Sequence, residues 1–243
     1  MARIDGFHLP PEAWREPYTL EGGEARHLLT VLRARPGTRV RLFDGCGREG
    51  LFELISGRKD VARLAPLEIR NVERPTSRLT IALGFSKAGR RDWLLEKAVE
   101  LQVGEIVFWQ AAHSQGRLPE TVKRTWRETC IAAAKQCGAV WLPEITLLSS
   151  GAAAVAEAGK VHGSRLLLWE KETKIVLSQD DLAGSVFAVI GPEGGLAEAE
   201  ARTFMDAGFA SRHLGPSILR LETAALLVMG LHYHARIVQP ETS

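Results

Sequence analysis

Two glycine-containing corners carry the residue types of this chain that are best placed to do chemistry. The first, Gly191 to Gly195 (GPEGG), follows the apolar run 186–190 and precedes a segment with a helical pattern. The second, at 213–223 (HLGPSILRLET), holds Arg220 between apolar neighbours. Because α/β proteins build ligand-binding loops where a strand ends in such a turn, each corner is a candidate binding loop.

Arg220 is the cation of the second corner. A desolvated guanidinium is costly unless it is paired, so we expect Arg220 to have a defined partner. The simplest partner is Glu222, two residues further on. Such an ion pair could hold the corner together rather than act on a ligand.

The first corner restricts the charge of its ligand. It lacks both the Lys and hydroxyl residue of a nucleotide phosphate loop and the spacing of a dinucleotide loop. Glu193 lies in the corner, and Glu198 and Glu200 follow in the first turns of the helix, so a bound anion would meet carboxylates. S-adenosylmethionine, which carries a sulfonium and no phosphate, fits. The alternative is a purely structural turn, in which glycine supplies a positive φ and the glutamates favour the start of the helix.

The elements that would position these corners alternate between strands and helices, which predicts a mostly parallel α/β sheet with crossover helices. The predicted strands are 79–85, 105–109, 144–148, 165–169 and 186–190. The predicted helices are 91–103, 119–137, 151–159, 197–207 and about 223–238. The last helix is apolar around much of its circumference, so we expect it in the core or at a subunit interface.

The N-terminal part shows a different pattern of predicted elements. Residues 38–70 read as short strands joined by tight corners, which predicts a small β-barrel or β module. The segment 74–77 (RPTS) has the composition of a linker. The predicted domains are therefore 1–73 and 74–243.

Composition sets the broad class of protein. With 243 residues, 45% of them hydrophobic, the chain can bury an ample core. It contains no apolar run of membrane-spanning length and no signal-peptide pattern, so we expect a cytoplasmic protein with no membrane partner. The three cysteines include no C-x-x-C pair, and His232 and His234 would point to different sides of a helix, so no metal site is expected.

Charge is distributed unevenly along the chain. Residues 1–135 carry 23 Lys and Arg against 17 Asp and Glu, whereas residues 136–243 carry 8 against 12. The run 25–43 contains five arginines and one histidine and no acidic residue: Arg26, His27, Arg33, Arg35, Arg39 and Arg41. This run reads equally as a phosphate-contacting stripe, because Arg pairs bidentately with phosphate, or as a solvated face of a small β domain.

Both corners resemble one family. IGPEGG followed by a Glu-bearing helix, and then LG-x-x-ILR-x-ETA, is similar to the C-terminal signature of the SPOUT-class RNA methyltransferases of the RsmE type. Further segments resemble the family too: Lys87, 93–101, 126–134, Gln136 and 143–145, with 27–33 and 40–45 in the N-terminal part. The chain departs from the family pattern at 112–117 and 137–140, two segments that the resemblance implies touch RNA or the target base.

The resemblance implies an N-terminal PUA-like β-barrel that binds RNA and a C-terminal α/β domain with a trefoil knot. It also implies a homodimer that uses S-adenosylmethionine to methylate N3 of a uridine in 16S ribosomal RNA, in the assembled small subunit. The expected RNA contacts are Arg26, His27, Arg33, Arg35, Arg39 and Lys87. The expected cofactor contacts are Ile190, Gly191, Gly194, Gly195, Leu214, Gly215, Ile218, Leu219, Leu221 and Thr223.

The reaction that the family implies needs two kinds of catalytic group. N3 of uracil carries a proton, so the site must remove it or stabilise the resulting anion. Arg220 is the candidate for stabilising the anion, and Glu193 and Glu222 are the candidates for the base. The alternatives are another SPOUT reaction, such as ribose 2′-O methylation or modification of transfer RNA, or an RNA-binding protein without catalysis.

Overall fold

The structure, a computed structural model, describes residues 4–86 and 91–238. The chain forms two compact units. The first takes in Met1–Arg74 and Ile131–Leu142, and the second takes in Pro75–Cys130 and Pro143–Ser243. The chain thus returns to the first unit, which consists of two separate segments of the sequence.

The first unit contains a curled five-stranded sheet that forms a half-barrel, which confirms the predicted β module. Its strands are β1 (Gly6–His8), β2 (Tyr18–Glu21), β3 (Arg39–Phe43), β4 (Arg48–Arg58) and β5 (Val61–Asn71), and a short helix α1 (Gly22–Arg26) follows β2. The strand order is β1-β3-β4-β5-β2, with β1 parallel to β3 and the other pairs antiparallel.

Alternation of side chains explains how β3 lies in this sheet. Val40 and Leu42 are buried in the core, whereas Arg39 is exposed and Arg41 is half-buried. The corner after β3 is closed by Asp44, whose carboxylate accepts hydrogen bonds from the backbone N–H of Cys46 at 2.7 Å and of Arg48 at 2.9 Å. The sequence predicted this tight corner between the two strands.

Residues 131–142 complete the first unit through polar contacts. Lys135 Nζ lies 2.8 Å from the Glu24 carboxylate, and the Trp141 indole N–H donates to the carbonyl oxygen of Val72 at 3.0 Å. The Arg41 guanidinium donates to the carbonyl oxygens of Gly138 and Ala139. The 137–140 segment, which departs from the family pattern, therefore has a structural role within this unit.

Glu49 binds two arginines of the same unit, one of which is Arg41. Its carboxylate accepts from Arg41 at 2.6 Å and from Arg70 at 2.6 Å. Burial acts to raise the pKa of Glu49, but the hydrogen bonds and charges of the two guanidinium groups outweigh burial and hold the pKa below its ordinary value. Arg41 is therefore held by structural contacts, whereas Arg33, Arg35 and Arg39 of the same run are exposed.

The second unit is built on a six-stranded sheet in which every neighbouring pair is parallel, as predicted. Its strands are β6 (Leu79–Gly84), β7 (Glu105–Trp109), β8 (Glu144–Leu148), β9 (Ser164–Leu168), β10 (Val186–Ile190) and β11 (Ala210–Arg212), in the order β11-β9-β10-β6-β7-β8. The helices are α2 (Arg91–Glu100), α3 (Arg124–Cys137), α4 (Gly151–Gly159), α5 (Glu198–Asp206) and α6 (Leu221–Val238). The last residues of α3 belong to the first unit.

Aromatic side chains fill one face of this sheet. Trp109, Phe187, Phe204 and Phe209 are buried together, with edge-on ring contacts such as 5.7 Å between the centroids of Trp109 and Phe204. The central strand β10 is buried along its whole length, as expected for a parallel strand covered on both faces. Across residues 4–86 and 91–238, no helix has the length and apolarity required to cross a bilayer.

Candidate active site

The GPEGG corner follows β10 directly. The backbone N–H of Gly195 donates to the carbonyl oxygen of Pro192 at 2.8 Å, which closes the turn. Gly195 has a φ of +75°, and a Cβ added there would lie 2.7 Å from the carboxylate of Glu170. The positive φ favours glycine at this position, whereas the Glu170 carboxylate is the end of a flexible side chain and has room to move aside.

The corner lies directly against the end of the neighbouring strand β6. A Cβ added at Gly84 would lie 2.4 Å from the backbone nitrogen of Pro192 and 2.6 Å from its Cδ. Neither atom belongs to a flexible side chain, so only glycine permits this approach. Gly84 therefore fixes the position of the first corner from a strand more than a hundred residues earlier.

We expect Gly84→Ala to displace the Gly191–Pro192 backbone and to weaken S-adenosylmethionine binding by about 10-fold or more, since a misplaced site loses much of its binding energy. Calorimetric titration of the cofactor measures this loss. The control is Gly163→Ala, because a Cβ at Gly163 would meet no heavy atom within 4 Å. Equal cofactor affinity in the two variants would contradict this account of the corner.

The 112–117 segment supports the corner from its other side. His113 Nδ1 lies 3.3 Å from the carbonyl oxygen of Gly195. The Glu200 carboxylate accepts from the backbone N–H of Ala112 at 2.8 Å and from that of Ala197 at 3.0 Å, so it joins this segment to the first turn of α5. The departure from the family pattern at 112–117 thus falls in a segment that contacts the GPEGG corner and the start of α5.

The second corner runs from the end of β11 to the start of α6. The carbonyl oxygen of Arg220 accepts from Ala224 N–H at 2.9 Å, so Arg220 stands at the boundary of the helix. Its side chain is exposed, whereas Glu222 in the first turn of α6 is buried. Within residues 4–86 and 91–238, no ion pair joins Arg220 to a carboxylate, so the pair expected from the sequence is not found there.

Both corners line one cavity of about 590 Å³, within the size range of small-molecule sites. Nine of the ten predicted cofactor contacts lie in its wall: Ile190, Gly191, Gly194, Gly195, Leu214, Gly215, Ile218, Leu219 and Leu221. Thr223 is exposed and does not line the cavity. All three candidate catalytic residues, Arg220, Glu193 and Glu222, do line it.

A third segment of the wall of this cavity was not predicted from the sequence. Leu168, Trp169 and Glu170 line the cavity at the carboxyl end of β9. Strand 165–169 was predicted, but the sequence does not say that it neighbours β10. The signal that could have identified these residues was the general rule that ligands bind outside the carboxyl ends of parallel strands.

Carboxylates dominate the charge of the cavity wall. Glu170, Glu193 and Glu222 face a single guanidinium, that of Arg220, among its described lining residues. The neighbouring Glu198 is paired with Lys171 at 3.0 Å and lies outside the cavity wall. This balance disfavours an anionic ligand, which agrees with the neutral or cationic ligand expected from the first corner.

A second, smaller cavity of about 190 Å³ adjoins the first. Glu193, Arg220, Leu221 and Glu222 line both cavities. The rest of its described wall comes from the end of β6, from β7 and from the start of α2: Leu83, Gly84, Ser86, Arg91, Leu94 and Phe108. All three candidate catalytic side chains thus lie between two adjoining spaces.

The predicted RNA contacts belong to the first unit, apart from Lys87, which lies outside the described residues. Four of them are exposed: Arg26, Arg33, Arg35 and Arg39. His27 is half-buried, with its ring centroid 5.7 Å from that of Phe7. Arg33 has a φ of +53°, in the left-handed region that side chains other than glycine rarely adopt.

Comparison with protein families identifies the class that this fold and site define. The model of an RNA methyltransferase domain matches residues 72–233, and that of an RNA methyltransferase PUA domain matches residues 20–63. The chain belongs to this RNA methyltransferase family.

Individual relatives define the type within the family. The ribosomal RNA small subunit methyltransferase E of Mycobacterium bovis is 31% identical over 219 residues, which cover 87% of this chain and 84% of the relative. The enzyme of the same name from Neisseria gonorrhoeae, solved with S-adenosyl methionine, is 26% identical, with a TM-score of 0.79 over 97% of this chain and 98% of that one. A methyltransferase from Legionella pneumophila in complex with the same cofactor is 25% identical, with a TM-score of 0.83 over 96% and 98% of the two chains.

Proposed function

We propose that this protein transfers a methyl group from S-adenosylmethionine to N3 of a uridine in the 16S RNA of the small ribosomal subunit. The observation that carries the proposal is the pair of adjoining cavities with Arg220, Glu193 and Glu222 between them. One cavity has the size and charge for the methyl donor, and the other has room for the acceptor. The relatives named ribosomal RNA small subunit methyltransferase E support the choice of RNA.

The larger cavity fits the cofactor by chemistry as well as by size. The glycines of the two corners would allow a ligand to approach the backbone closely, and Leu214, Leu219 and Leu221 offer an apolar slot for adenine. Glu170 and Glu193 supply negative charge for the sulfonium and amino groups. When bound, S-adenosylmethionine supplies the methyl: its carbon–sulfur bond breaks, the electron pair stays on sulfur, and a bond forms to N3, whose proton has gone to a base.

The side chains of this protein then prepare the acceptor. Loss of the N3 proton leaves a uracil anion whose charge lies on N3 and on the two carbonyl oxygens. The exposed guanidinium of Arg220 is free to contact one of those oxygens and to stabilise the anion. Glu193 is the preferred base, because it is exposed at the junction of both cavities, whereas Glu222 is buried in α6.

The first unit is proposed to bind the RNA, with 1–73 and 74–243 as the functional domains. The exposed arginines of the 25–43 run would contact phosphates and position the strand, while base readout occurs elsewhere. We extend this role to Lys87 on the strength of the family resemblance alone.

Three further properties are part of the proposal. A homodimer is supported by apolar side chains exposed on α6: Leu227 at 38%, Ile237 at 56% and Val238 at 58%. The trefoil knot and the cytoplasmic setting rest on the family, and the assembled small subunit is the proposed substrate. Sedimentation of the intact protein tests the dimer.

Replacing Arg33 and Arg35 together by Ala should weaken RNA binding and lower the slope of log K against log salt by about 2, since each lost phosphate contact lowers that slope by roughly one. Filter binding to small-subunit RNA at several salt concentrations measures both. The control is Arg124→Ala with Arg127→Ala, which removes two exposed arginines of α3 from the second unit. An unchanged slope in the Arg33 and Arg35 variant would remove these residues from the interface.

The decisive test of the function is transfer of labelled methyl to small ribosomal subunits that lack their uridine methylations. We expect N3-methyluridine on mass spectrometry of the product nucleosides. Label on a ribose or on transfer RNA would establish a different SPOUT reaction, and cofactor binding without transfer to any RNA would leave an RNA-binding protein. Either result would refute the proposed reaction.

A further inference from the structure

Arg91, the first residue of α2, has an unusual setting in the wall of the smaller cavity. Its guanidinium lies over three aromatic rings, at 4.4 Å from the centroid of Phe85, 4.8 Å from that of Trp126 and 5.8 Å from that of Phe108. All three rings are buried. Contacts of this kind hold a guanidinium in place without using its N–H groups.

Most of the hydrogen-bonding capacity of Arg91 is unused. A guanidinium carries five N–H donors, yet within the described parts of the chain Arg91 makes one hydrogen bond, from Nη2 to the carbonyl oxygen of Ser86 at 2.6 Å. Burial lowers the pKa of the Arg91 guanidinium, and the charge of Asp92 opposes that shift. The group nevertheless stays charged at neutral pH, because arginine does not lose its proton in proteins.

The charged residues around Arg91 in the cavity wall indicate a role for its unused N–H donors. Arg91 and Arg220 line the same cavity, together with the carboxylates of Glu193 and Glu222. Arg91 is half-buried, and the donors of a partly desolvated cation are available to a ligand that completes their hydrogen bonds. The cavity is small, with apolar wall from Leu83, Leu94 and Phe108, which suits one flat ring with polar edges.

We propose that the smaller cavity holds the target uracil and that Arg91 is a second catalytic cation, donating to one carbonyl oxygen while Arg220 donates to the other. This inference rests on the proposed function and adds the place of the acceptor and a residue that sequence analysis did not select. With a cation at each oxygen, the negative charge left by the N3 proton is stabilised on both sides of N3. The proton itself passes to the carboxylate of Glu193.

The first test measures uracil binding without turnover. The intact protein is loaded with S-adenosylhomocysteine and titrated with uridine, and the side-chain Nε–H signal of Arg91 is followed by NMR. The signal is assigned by its loss in Arg91→Met, and ribose alone is the control titrant. We expect uridine to shift this signal and ribose to leave it unchanged; no shift up to millimolar uridine overturns the assignment of the cavity.

The second test measures the catalytic role. Arg91→Met keeps an apolar side chain against the three rings, and we expect it to lower single-turnover methyl transfer by about 10- to 100-fold with unchanged cofactor affinity. Arg91→Lys, which keeps the charge, should recover part of the rate. The matched control is Arg124→Met, whose side chain is 90% exposed and pairs with Glu128.

A target with a more acidic N3 separates catalysis from a structural effect. RNA that carries 5-fluorouridine at the target should reduce the Arg91→Met defect several-fold, because the anion then needs less stabilisation. A defect of equal size on both RNAs, accompanied by weaker cofactor binding, overturns the catalytic role in favour of a structural one. Should the wild-type protein make no N3-methyluridine, the proposed function fails, and the uridine titration decides separately whether Arg91 contacts the base.

Discussion

Arg220→Ala is expected to retain S-adenosylmethionine binding and to lose methyl transfer by about 100- to 1,000-fold, the usual cost of removing one preorganised donor from a developing anion. The side chain is exposed and has no ion-pair partner among the described residues, so its removal should not destabilise the second corner. The backbone carbonyl that starts α6 is unaffected by the substitution. Single-turnover kinetics and calorimetry on the same preparation measure both properties.

The control for this variant is Arg202→Ala. Arg202 is 73% exposed on α5, lies 3.9 Å from the Glu198 carboxylate, and is not among the described residues that line the two cavities. It should turn over at the wild-type rate. A rate for Arg220→Ala within a factor of two of the control would exclude the anion-stabilising role.

Glu193→Gln should lower the rate of methyl transfer by about 100- to 10,000-fold at neutral pH, the range attributed to general acid–base catalysis. The amide cannot accept the N3 proton, so solvent must remove it, and the rate of the variant should continue to rise at alkaline pH. Measurement of the rate against pH for wild type and variant tests this. Glu198→Gln is the isosteric control, because Glu198 is exposed and pairs with Lys171 outside the cavity.

Glu222→Gln distinguishes the two candidate bases. Glu222 is 8% exposed in the first turn of α6, and a buried carboxylate that loses its charge is expected to affect stability before rate. We therefore expect a lower melting temperature with a smaller loss of turnover than in Glu193→Gln. The opposite ranking would assign the base to Glu222.

The sheet of the second unit was predictable because its strands are continuous apolar runs separated by amphipathic helices. Five of its six strands and all five helices that accompany them were identified, with differences at their ends. Helix α2 ends at Glu100 rather than at 103, because Gln102 adopts a left-handed backbone with a φ of +53°. A Gln in that conformation has no marker in the sequence.

The site was predictable where it is contiguous in sequence and not where it depends on strand order. The glycines of the two corners are visible in the sequence, and nine of the ten predicted cofactor contacts line the larger cavity. Glu170 and Gly84 were not selected, because their roles follow from β9 and β6 lying on either side of β10. Arg91 was missed for a related reason: the rings that hold it come from the residue after β6, from β7 and from α3, which sequence spacing does not bring together.

The return of residues 131–142 to the first unit bears on the order in which this protein can fold during its synthesis. Glu24 and Arg41 leave the ribosome early, but their partners in the 135–139 segment emerge about a hundred residues later. All five strands of the N-terminal sheet are therefore made first, and the first unit lacks residues 131–142 until β6, β7 and most of α3 are translated. Because contacts so distant along the chain are slow to form, we expect the early half-barrel without residues 131–142 to be more open to aggregation and proteolysis than the finished unit.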